Sequence, residues 1–314
     1  MQEYSITSGR MMDHIDPVLS VWGWEVPVYL FLGGLVAGIL FFSALYFLLN
    51  KEEEMPTTVR VTPLFAPILL GIGLFALFLD LEYKLHVYRF YMALRLQSPM
   101  SWGSWTLGVI FPLSAVWALL HAETAFPQYV NRFNILTKIT PYFRKHINLI
   151  AWMVIIFAVL LGMYTGILLS AMNARPLWNT AILGPLFLVS GLSSGLAFTI
   201  LISKNKKEKH ILSKLDIGAI GVELFLITHL FMGLLSSTQV HFDAAQLFLG
   251  GPYTAAFWVV VVGLGLTLPA ALELIELKGI RIPAAIPAVM VLAGGYALRI
   301  ILVDAGQFSS WLPY

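Results

Sequence analysis

The sequence contains no cysteine among its 314 residues. Disulfide bonds, iron–sulfur clusters held by cysteine and catalysis by a thiolate are therefore excluded for this chain. Charge is also scarce, because Asp, Glu, Lys and Arg make up only 11% of the residues, against about 25% in a typical soluble protein. The formal net charge of +2 is too small to indicate a nucleic-acid partner. These absences exclude an ordinary soluble enzyme.

Hydrophobic residues make up 59% of the chain, and they fall into eight runs. A helix needs about 20 such residues to cross a bilayer. The predicted spans are Val26 to Leu49, Pro63 to Leu81, Trp105 to Leu120, Ile147 to Ala171, Ala181 to Ile202, Leu215 to Leu235, Thr254 to Ile275 and Ala285 to Val303. The sequence therefore predicts an all-α, integral membrane protein surrounded by lipid, with both termini on one side.

The positions of Lys and Arg predict which side that is. Thirteen of the 19 lie in the odd-numbered connections, five lie in the N-terminal segment and the even-numbered connections, and Arg299 lies inside the last span. Short loops rich in Lys and Arg stay in the cytoplasm. We therefore expect both termini to be periplasmic, in a bacterial or archaeal cytoplasmic membrane. The Lys-rich connection Ser203 to Lys214 has the composition of a solvated linker.

A short glycine motif occurs twice. Gly34-Leu-Val-Ala-Gly38 in the first span is matched by Gly191-Leu-Ser-Ser-Gly195 in the fifth, half a chain later. Small residues at this spacing let helix backbones approach closely. The repeat predicts two four-helix bundles in the same orientation. The expected organisation is an extracytoplasmic segment at 1–25, bundles at 26–171 and 172–303, and an extracytoplasmic tail at 304–314.

The sequence also lacks a recognisable metal site. A haem in a membrane usually needs two His on facing helices at equal depth, and only His229 of the seven His lies well inside a span. We therefore expect neither haem nor another metal in this protein.

Ionisable residues inside a span are costly, so each is a candidate for function. Asp216, Glu223 and His229 in the sixth span and Glu273 in the seventh could form part of a proton path. A protonated, hydrogen-bonded Glu223 that only fixes helix packing fits equally well. For Arg299, a salt bridge with Asp304 or with another helix competes with contact to a ligand.

Two tyrosines are placed where an apolar carrier of electrons and protons would need them. Such a carrier requires an apolar slot and a few hydrogen-bond partners for its ring oxygens. Tyr29 and Tyr164 lie at comparable depth near the outer ends of the first and fourth spans, and Glu25 or Asp80 is close enough in sequence to accept a proton. Buried tyrosines with satisfied hydroxyls are also common, so the residues alone leave both interpretations open.

An ordered set of motifs identifies a family. The motifs are Trp24 to Gly38 (WEVPVYLFLGGLVAG), Asp80-Leu81, Arg89-Phe90, Ser98 to Trp105 (SPMSWGSW), Tyr164 to Ser170 (YTGILLS), Pro176 to Thr180 (PLWNT), Phe187 to Gly195 (FLVSGLSSG), Glu273 and Ala305 to Gln307 (AGQ). Together they resemble the polysulfide reductase membrane-subunit family, also called NrfD/PsrC, in its eight-helix type. The resemblance covers almost the whole sequence.

This resemblance implies a haem-free membrane subunit that binds menaquinone or ubiquinone near the outer end of the first bundle. It also implies a periplasmic four-cluster iron–sulfur partner, often with a molybdopterin catalytic subunit. Tyr164 matches the family's ring contact, and Tyr29 or Glu25 matches a contact from the first helix. We expect Asp80 or Glu25 to accept a proton.

Three further residues complete the predicted quinone site. They are His86 and Arg89, either of which would stabilise developing charge, and Trp102. The Trp-rich outer connections would then dock the partner.

Two other functions compete with this one. The first is a secondary transporter built from two parallel four-helix repeats, and the second is a structural anchor without a quinone site. The terminal substrate, the direction of electron flow and the quinone type depend on features outside these motifs.

Overall fold

The computed structural model of the protein describes residues 22–92, 95, 97–125, 140–172, 174–280 and 282–310. Eight helices in these ranges are long and apolar enough to cross a membrane, and these ranges contain no strand. We number them α1 (Glu25–Leu48), α2 (Thr57–Asp80), α3 (Pro99–Ala125), α4 (Ile147–Ser170), α5 (Leu183–Ile202), α6 (Lys206–Leu235), α7 (Ala256–Leu277) and α8 (Ala285–Phe308). The predicted all-α architecture of eight spans is confirmed. Residues 1–21 of the predicted N-terminal segment and 311–314 of the predicted tail lie outside the described residues.

The helices form because a segment in hydrocarbon must satisfy its own backbone hydrogen bonds. Two spans are locally irregular. α2 starts with a π-helical stretch at Thr57–Val61 and a 3₁₀ turn at Thr62–Leu64, and α7 is π-helical over Ala256–Thr267. We call the end of the protein that carries Glu25 and Phe308 the terminal end, and the opposite end, which carries Lys51 and Lys206, the lysine-rich end.

The eight helices pack as two bundles of four. α1 packs against α2 and α4, and α3 packs against α2 and α4; in the second half, α5 packs against α6 and α8, and α7 packs against α8. The bundles meet through α1 and α5, with α4 beside α5 and α8 beside α1 completing the interface. The two halves therefore use equivalent helix contacts.

The repeated glycine motif lies at this interface, and its two copies pack against each other. A Cβ atom at Gly191 would lie 2.6 Å from the carbonyl oxygen of Gly34, and a Cβ atom at Gly195 would lie 2.6 Å from the carbonyl carbon of Gly38. Both positions require glycine because the α1 and α5 backbones are in direct contact. The repeat thus forms the joint between the two bundles.

The lysine-rich end corrects one prediction. The prediction that the connection Ser203 to Lys214 is a solvated linker is wrong, because α6 begins at Lys206 and Glu208 is fully buried. The carboxylate of Glu208 accepts hydrogen bonds from the backbone N–H groups of Thr58 at 2.7 Å and Thr57 at 3.3 Å and from the Ser203 hydroxyl at 2.8 Å. A carboxylate here satisfies free N–H groups at the start of a helix. Glu208 therefore caps α2 from the other bundle.

Candidate functional site

A cavity of about 480 Å³ lies among α1, α2, α3 and α4 at the terminal end. Most of its wall is apolar or aromatic, including Val26, Leu74, Phe75, Leu77, Phe78, Leu107, Leu168 and Met172. Three of the predicted site residues, Tyr29, Asp80 and Tyr164, also line it. The volume is in the range of sites for small organic ligands, which combine apolar walls with a few polar groups. We call this space the tyrosine cavity.

Tyr29 provides the most unusual polar group of the tyrosine cavity. The side chain is only 1% exposed, and its hydroxyl has no hydrogen-bond partner among the described residues. Tyr91 and Tyr164 are its electrostatic neighbours. A buried hydroxyl without a partner costs roughly 1–3 kcal/mol. An acceptor inside the cavity would remove that cost.

Tyr164 is positioned by a glycine on the facing helix. A Cβ atom at Gly103 of α3 would overlap the Tyr164 ring. The ring therefore needs the absence of a side chain at Gly103, which explains why glycine stands within the Ser98 to Trp105 motif. The same motif begins α3, whose first turn faces the cavity through Met100 and Ser104.

Two serines of that motif hold the preceding connection across the cavity. The Ser104 hydroxyl donates to the carbonyl oxygen of Phe90 at 2.8 Å, and the Ser101 hydroxyl accepts from the backbone N–H of Arg95 at 3.0 Å. The short helix Arg89–Met92 lies in this connection and packs on α3. As a result Phe90 and Tyr91 become part of the cavity wall.

A second cavity, of about 640 Å³, adjoins the tyrosine cavity. The two spaces share Leu81, Phe90 and Met100 as wall residues, and the second contains the polar or charged side chains of Glu82, Tyr83, His86, Arg89, Arg95, Ser98 and Ser101. His86 and Arg89 are therefore brought near the predicted site, but into this neighbouring space. We call it the basic antechamber.

The structure places Glu25 and Trp102 outside both cavities. Glu25 lies in the first turn of α1, is partly buried and interacts electrostatically with Asp80. Trp102 lies on the first turn of α3 and is 50% exposed. Of the predicted site residues in the first bundle, Glu25 and Trp102 thus line neither cavity, although Glu25 remains close to Asp80.

Tryptophans at the terminal end join three separate parts of the protein. Trp22 lines the tyrosine cavity and stacks on Trp178 at a centroid distance of 5.2 Å. The backbone of Trp22 exchanges hydrogen bonds with the Gln307 side chain at 2.9 and 3.1 Å, and the Trp178 indole donates to the carbonyl oxygen of Leu302 at 2.8 Å. The residues before α1, the α4–α5 connection and the end of α8 are therefore fixed together.

The second bundle holds buried carboxyl groups. Asp216, Glu223 and Glu273 are at most 1% exposed. The Ser193 hydroxyl donates to Oδ1 of Asp216 at 2.5 Å, whereas Oδ2 of Asp216 and both carboxyl oxygens of Glu273 have no hydrogen-bond partner among the described residues. Asp216 is an electrostatic neighbour of both Glu223 and Glu273. Three of the four predicted proton-path residues are thus close together.

His229 is not part of this group. Its Nδ1 atom lies 2.9 Å from the carbonyl oxygen of Phe225 in its own helix, and its ring packs on the exposed Phe225 ring at 4.0 Å. Six residues separate His229 from Glu223, which is a rotation of about 240° on an α-helix. The two side chains therefore point in different directions.

Arg299 contacts α5, and the prediction of a salt bridge with Asp304 is wrong. The guanidinium donates to the Ser190 hydroxyl at 2.7 Å, whereas the carboxylate of Asp304 accepts from the Tyr253 hydroxyl at 2.8 Å. Asp304 lies five residues after Arg299 on α8, so the two side chains point about 140° apart around the helix axis and do not meet. Partial burial and the Asp304 carboxylate together raise the pKa of the Tyr253 phenol above its ordinary value.

A family model described as polysulphide reductase, NrfD, matches residues 11–309. The chain belongs to the NrfD family. A polysulfide reductase chain from Wolinella succinogenes is 32% identical over 303 residues, covering 91% of this sequence and 94% of that protein. Protein NrfD of Escherichia coli is 29% identical, covering 92% and 96%, and a selenate reductase subunit from Mesobacillus selenatarsenatis is 26% identical, covering 90% and 73%. The family resemblance is confirmed, and the chain is a multi-pass protein of the bacterial inner membrane.

Of the cavity residues of this NrfD-family protein whose side chains carry a polar group, sequence reasoning missed three, namely Trp22, Tyr91 and Ser104. Trp22 and Tyr91 belong to connections rather than spans, so no periodic pattern marked their direction. Ser104 was within a quoted motif but lay one residue before the predicted third span, which starts at Trp105, whereas α3 begins at Pro99. No pattern in the sequence indicated that the preceding connection folds back onto the start of α3.

Proposed function

We propose that this protein is a haem-free, quinone-binding membrane subunit of a respiratory oxidoreductase complex. The observation that supports this most directly is the unpartnered Tyr29 hydroxyl in an apolar cavity that also contains Tyr164 and Asp80. A quinone head is a flat apolar ring with two acceptor oxygens. The tyrosine cavity offers donors and apolar walls that suit both features.

The proposed division of labour follows from where each group lies. Tyr29 and Tyr164 donate hydrogen bonds to the ring oxygens. Oxidation of a quinol releases two protons and two electrons. Asp80 at the end of α2, with Glu25 beside it, accepts the protons one after the other and releases them to solvent, and the two electrons leave to the partner protein. Arg89 or His86 in the basic antechamber stabilises negative charge that develops on the ring. In the opposite direction the same groups deliver protons to a quinone.

The electrons need a partner protein. Because the sequence has no cysteine, we propose direct exchange with an iron–sulfur cluster of a periplasmic four-cluster protein, in a complex that also holds a molybdopterin subunit. Two relatives bear names that make them parts of a polysulfide reductase and a selenate reductase, which supports assembly with other proteins. The terminal end, with the exposed Trp24 and Trp102 and the antechamber, would face the periplasm and dock this partner. Bundle 26–171 then holds the quinone, and bundle 172–303 does not.

The second bundle extends the proposal to proton translocation. Glu273, Asp216 and Glu223 form a line of buried carboxyl groups that starts near the lysine-rich end. We assign them, without His229, to a proton path from the cytoplasm. Glu223→Gln is expected to lower the number of protons released per electron in vesicles, and an unchanged ratio would remove this part of the proposal.

The alternative function, a secondary transporter with two parallel repeats, has less support. A groove of about 430 Å³ lies where α1, α5 and α8 meet, which is where a substrate between bundles would bind. Its wall is aliphatic and aromatic, with Phe31, Phe198 and Tyr296 among its residues. Such a groove suits a lipid tail better than a polar substrate.

The quinone proposal is tested by Tyr164→Phe in the purified complex. Loss of one hydrogen bond of about 1.4 kcal/mol to the ring corresponds to a roughly tenfold loss of quinol-linked turnover. Reduction of the terminal substrate with an artificial electron donor should be unchanged, because that reaction bypasses the cavity. Tyr46→Phe is the matched control, since Tyr46 is a buried tyrosine of α1 near the lysine-rich end. Native quinol turnover in Tyr164→Phe would contradict the assignment.

A further inference from the structure

Arg299 is a buried cation at the junction of the two bundles. Its side chain is fully buried, with Nη1 donating to the Ser190 hydroxyl and to the carbonyl oxygen of Gly295, each at 2.7 Å, and Nη2 donating to the carbonyl oxygen of Phe187 at 3.3 Å. The guanidinium carbon also lies 5.1 Å from the Phe187 ring centroid and 5.8 Å from that of Phe31. These partners are all neutral, and within the described ranges Arg299 forms no ion pair closer than 4.0 Å. The positive charge is therefore held in place without being neutralised by contact.

The buried carboxyl groups lead from the lysine-rich end to this cation. Glu273, four residues before the end of α7, neighbours Asp216, and Asp216 is bonded to Ser193. Seven residues further along α6, or about 10 Å, the Glu223 carboxyl lies beside the Ser190 hydroxyl and interacts with the Arg299 charge. Carboxyl oxygens without partners on Asp216 and Glu273 leave room in the network for water or a proton. The Ser190 hydroxyl therefore contacts both the Glu223 carboxyl group and the Arg299 guanidinium.

Helix α1 connects this cation to the tyrosine cavity. Gly34 lies directly against Arg299, because a Cβ atom there would be 3.0 Å from Nη2. Five residues earlier on the same helix, Tyr29 faces the tyrosine cavity. The Phe31 ring, which covers the guanidinium, lies between these two positions in sequence. One rigid helix thus contacts both the proposed quinone and Arg299.

We propose that Arg299 is an electrostatic barrier that closes the line of buried carboxyl groups to protons at its terminal-end side. A fixed positive charge repels a proton that has reached Glu223, so passive leakage across the membrane is blocked. The inference rests on the proton path proposed above and is independent of the quinone assignment.

The test is passive proton leakage through the complex in liposomes that contain a pH-sensitive dye, with no quinol present. A pH step is applied under a potassium diffusion potential set with valinomycin. Arg299→Gln is expected to raise the leak about tenfold or more, equivalent to a barrier lower by about 1.4 kcal/mol. Arg299→Lys keeps the charge and should stay near the native rate. Adding Glu223→Gln to Arg299→Gln should return the leak to the native level.

A milder pair of variants guards against a folding defect in Arg299→Gln. Ser190→Ala removes one partner of Arg299 and should raise the leak by a smaller, measurable factor. Ser194→Ala is its control, since among the described residues the Ser194 hydroxyl donates to the carbonyl oxygen of Ser190 within α5 at 2.8 Å and makes no hydrogen bond to Arg299. A native leak in folded Arg299→Gln, or in Ser190→Ala if Arg299→Gln does not fold, would overturn the barrier. A leak that persists when Glu223→Gln is combined with Arg299→Gln would also overturn the barrier.

The assay also separates this inference from the proposals on which it builds. Because no quinol is added, the leak does not depend on the quinone assignment, which fails separately if Tyr164→Phe keeps native quinol turnover in the same vesicles. If Glu223→Gln lowers the number of protons released per electron but Arg299→Gln does not leak, the proton path is supported and the role of Arg299 as a barrier is refuted.

Discussion

At the residue scale, the two cavity tyrosines are held in different ways. The Tyr29 ring is buried in the first bundle while its hydroxyl has no partner among the described residues. Tyr164 depends instead on the bare backbone of Gly103 across the α3–α4 contact. A hydroxyl that is buried but unsatisfied, next to a ring that needs a glycine, is the feature on which the proposed quinone site depends.

Gly103→Ala tests this arrangement without changing a polar group. The added methyl group would overlap the Tyr164 ring, so the ring must move, and overpacking of this kind costs about 1–3 kcal/mol. We expect quinol-linked turnover to fall at least as far as in Tyr164→Phe, measured with the complex in detergent, together with a lower midpoint of thermal unfolding.

The matched control for that variant is Gly108→Ala on the same helix. A Cβ atom at Gly108 would meet the Tyr91 ring at 3.6 Å, an ordinary contact. It should retain turnover and gain slightly in stability, because alanine favours helix over glycine by about 1 kcal/mol. If Gly103→Ala behaved like Gly108→Ala, the proposed placement of Tyr164 would be untenable.

At the scale of elements, hydropathy predicts every span but not where each helix ends. The length of an apolar run measures the part of a helix that lies in hydrocarbon. The end of a helix is set by caps instead, as at α6, where the side chain of Asn205 accepts from the backbone N–H of Lys207 at 3.0 Å. α6 consequently starts at Lys206, nine residues before the predicted Leu215.

The site shows the same limit. Tyr29, Asp80 and Tyr164 could be predicted together because span ends at one side of a membrane lie at similar depth. Trp102 and His229 could not be placed, since their direction depends on rotation about a helix axis and on which neighbour each face meets. Apolar periodicity gives little help there, because lipid and protein interior are both apolar.

Substitution of Glu208 tests how far the stability of the protein depends on the cap that α6 provides for α2. In Glu208→Ala the backbone N–H groups of Thr57 and Thr58 lose their acceptor in a buried position, at a cost of about 1–3 kcal/mol. We expect a clearly lower thermal midpoint, followed by tryptophan fluorescence, and a smaller loss for Glu208→Gln, which keeps an acceptor oxygen.

Glu54→Ala serves as the control because Glu54 pairs with Lys51 at 3.7 Å on the surface, with 62% of its side chain exposed. Surface pairs of this kind contribute about 0–1 kcal/mol. Equal midpoints for Glu208→Ala and Glu54→Ala would show that the α2 cap has no role in stability.

At the scale of the whole molecule, the two bundles share one architecture but differ in content. The first has a cavity at the terminal end, whereas at the corresponding end of the second bundle the rings of Phe231, Phe248 and Phe257 pack on one another at 5.1 to 5.7 Å. Charged groups are buried in the second bundle instead. The repeat therefore separates the proposed ligand site from the buried ionisable side chains of the second bundle.

Gly191→Ala tests the junction between the halves. The new Cβ atom would lie 2.6 Å from the carbonyl oxygen of Gly34, so α1 and α5 must separate, and Arg299 loses its position between them. We expect lower thermal stability by about 1–3 kcal/mol and fewer protons released per electron. Gly221→Ala on α6, where a Cβ would meet no atom within 4 Å, should leave proton release unchanged and should not lower thermal stability. A similar loss in the two variants would argue against the junction.

The glycine joint also limits how the two halves can communicate. With bare peptide groups pressed together along α1 and α5, neither half can slide or tilt against the other without steric collision, so large domain motions of the rocking type are closed to this scaffold. Any coupling between the two halves must therefore act over a short range, through the reorientation of a few side chains or through the electric field of one of them.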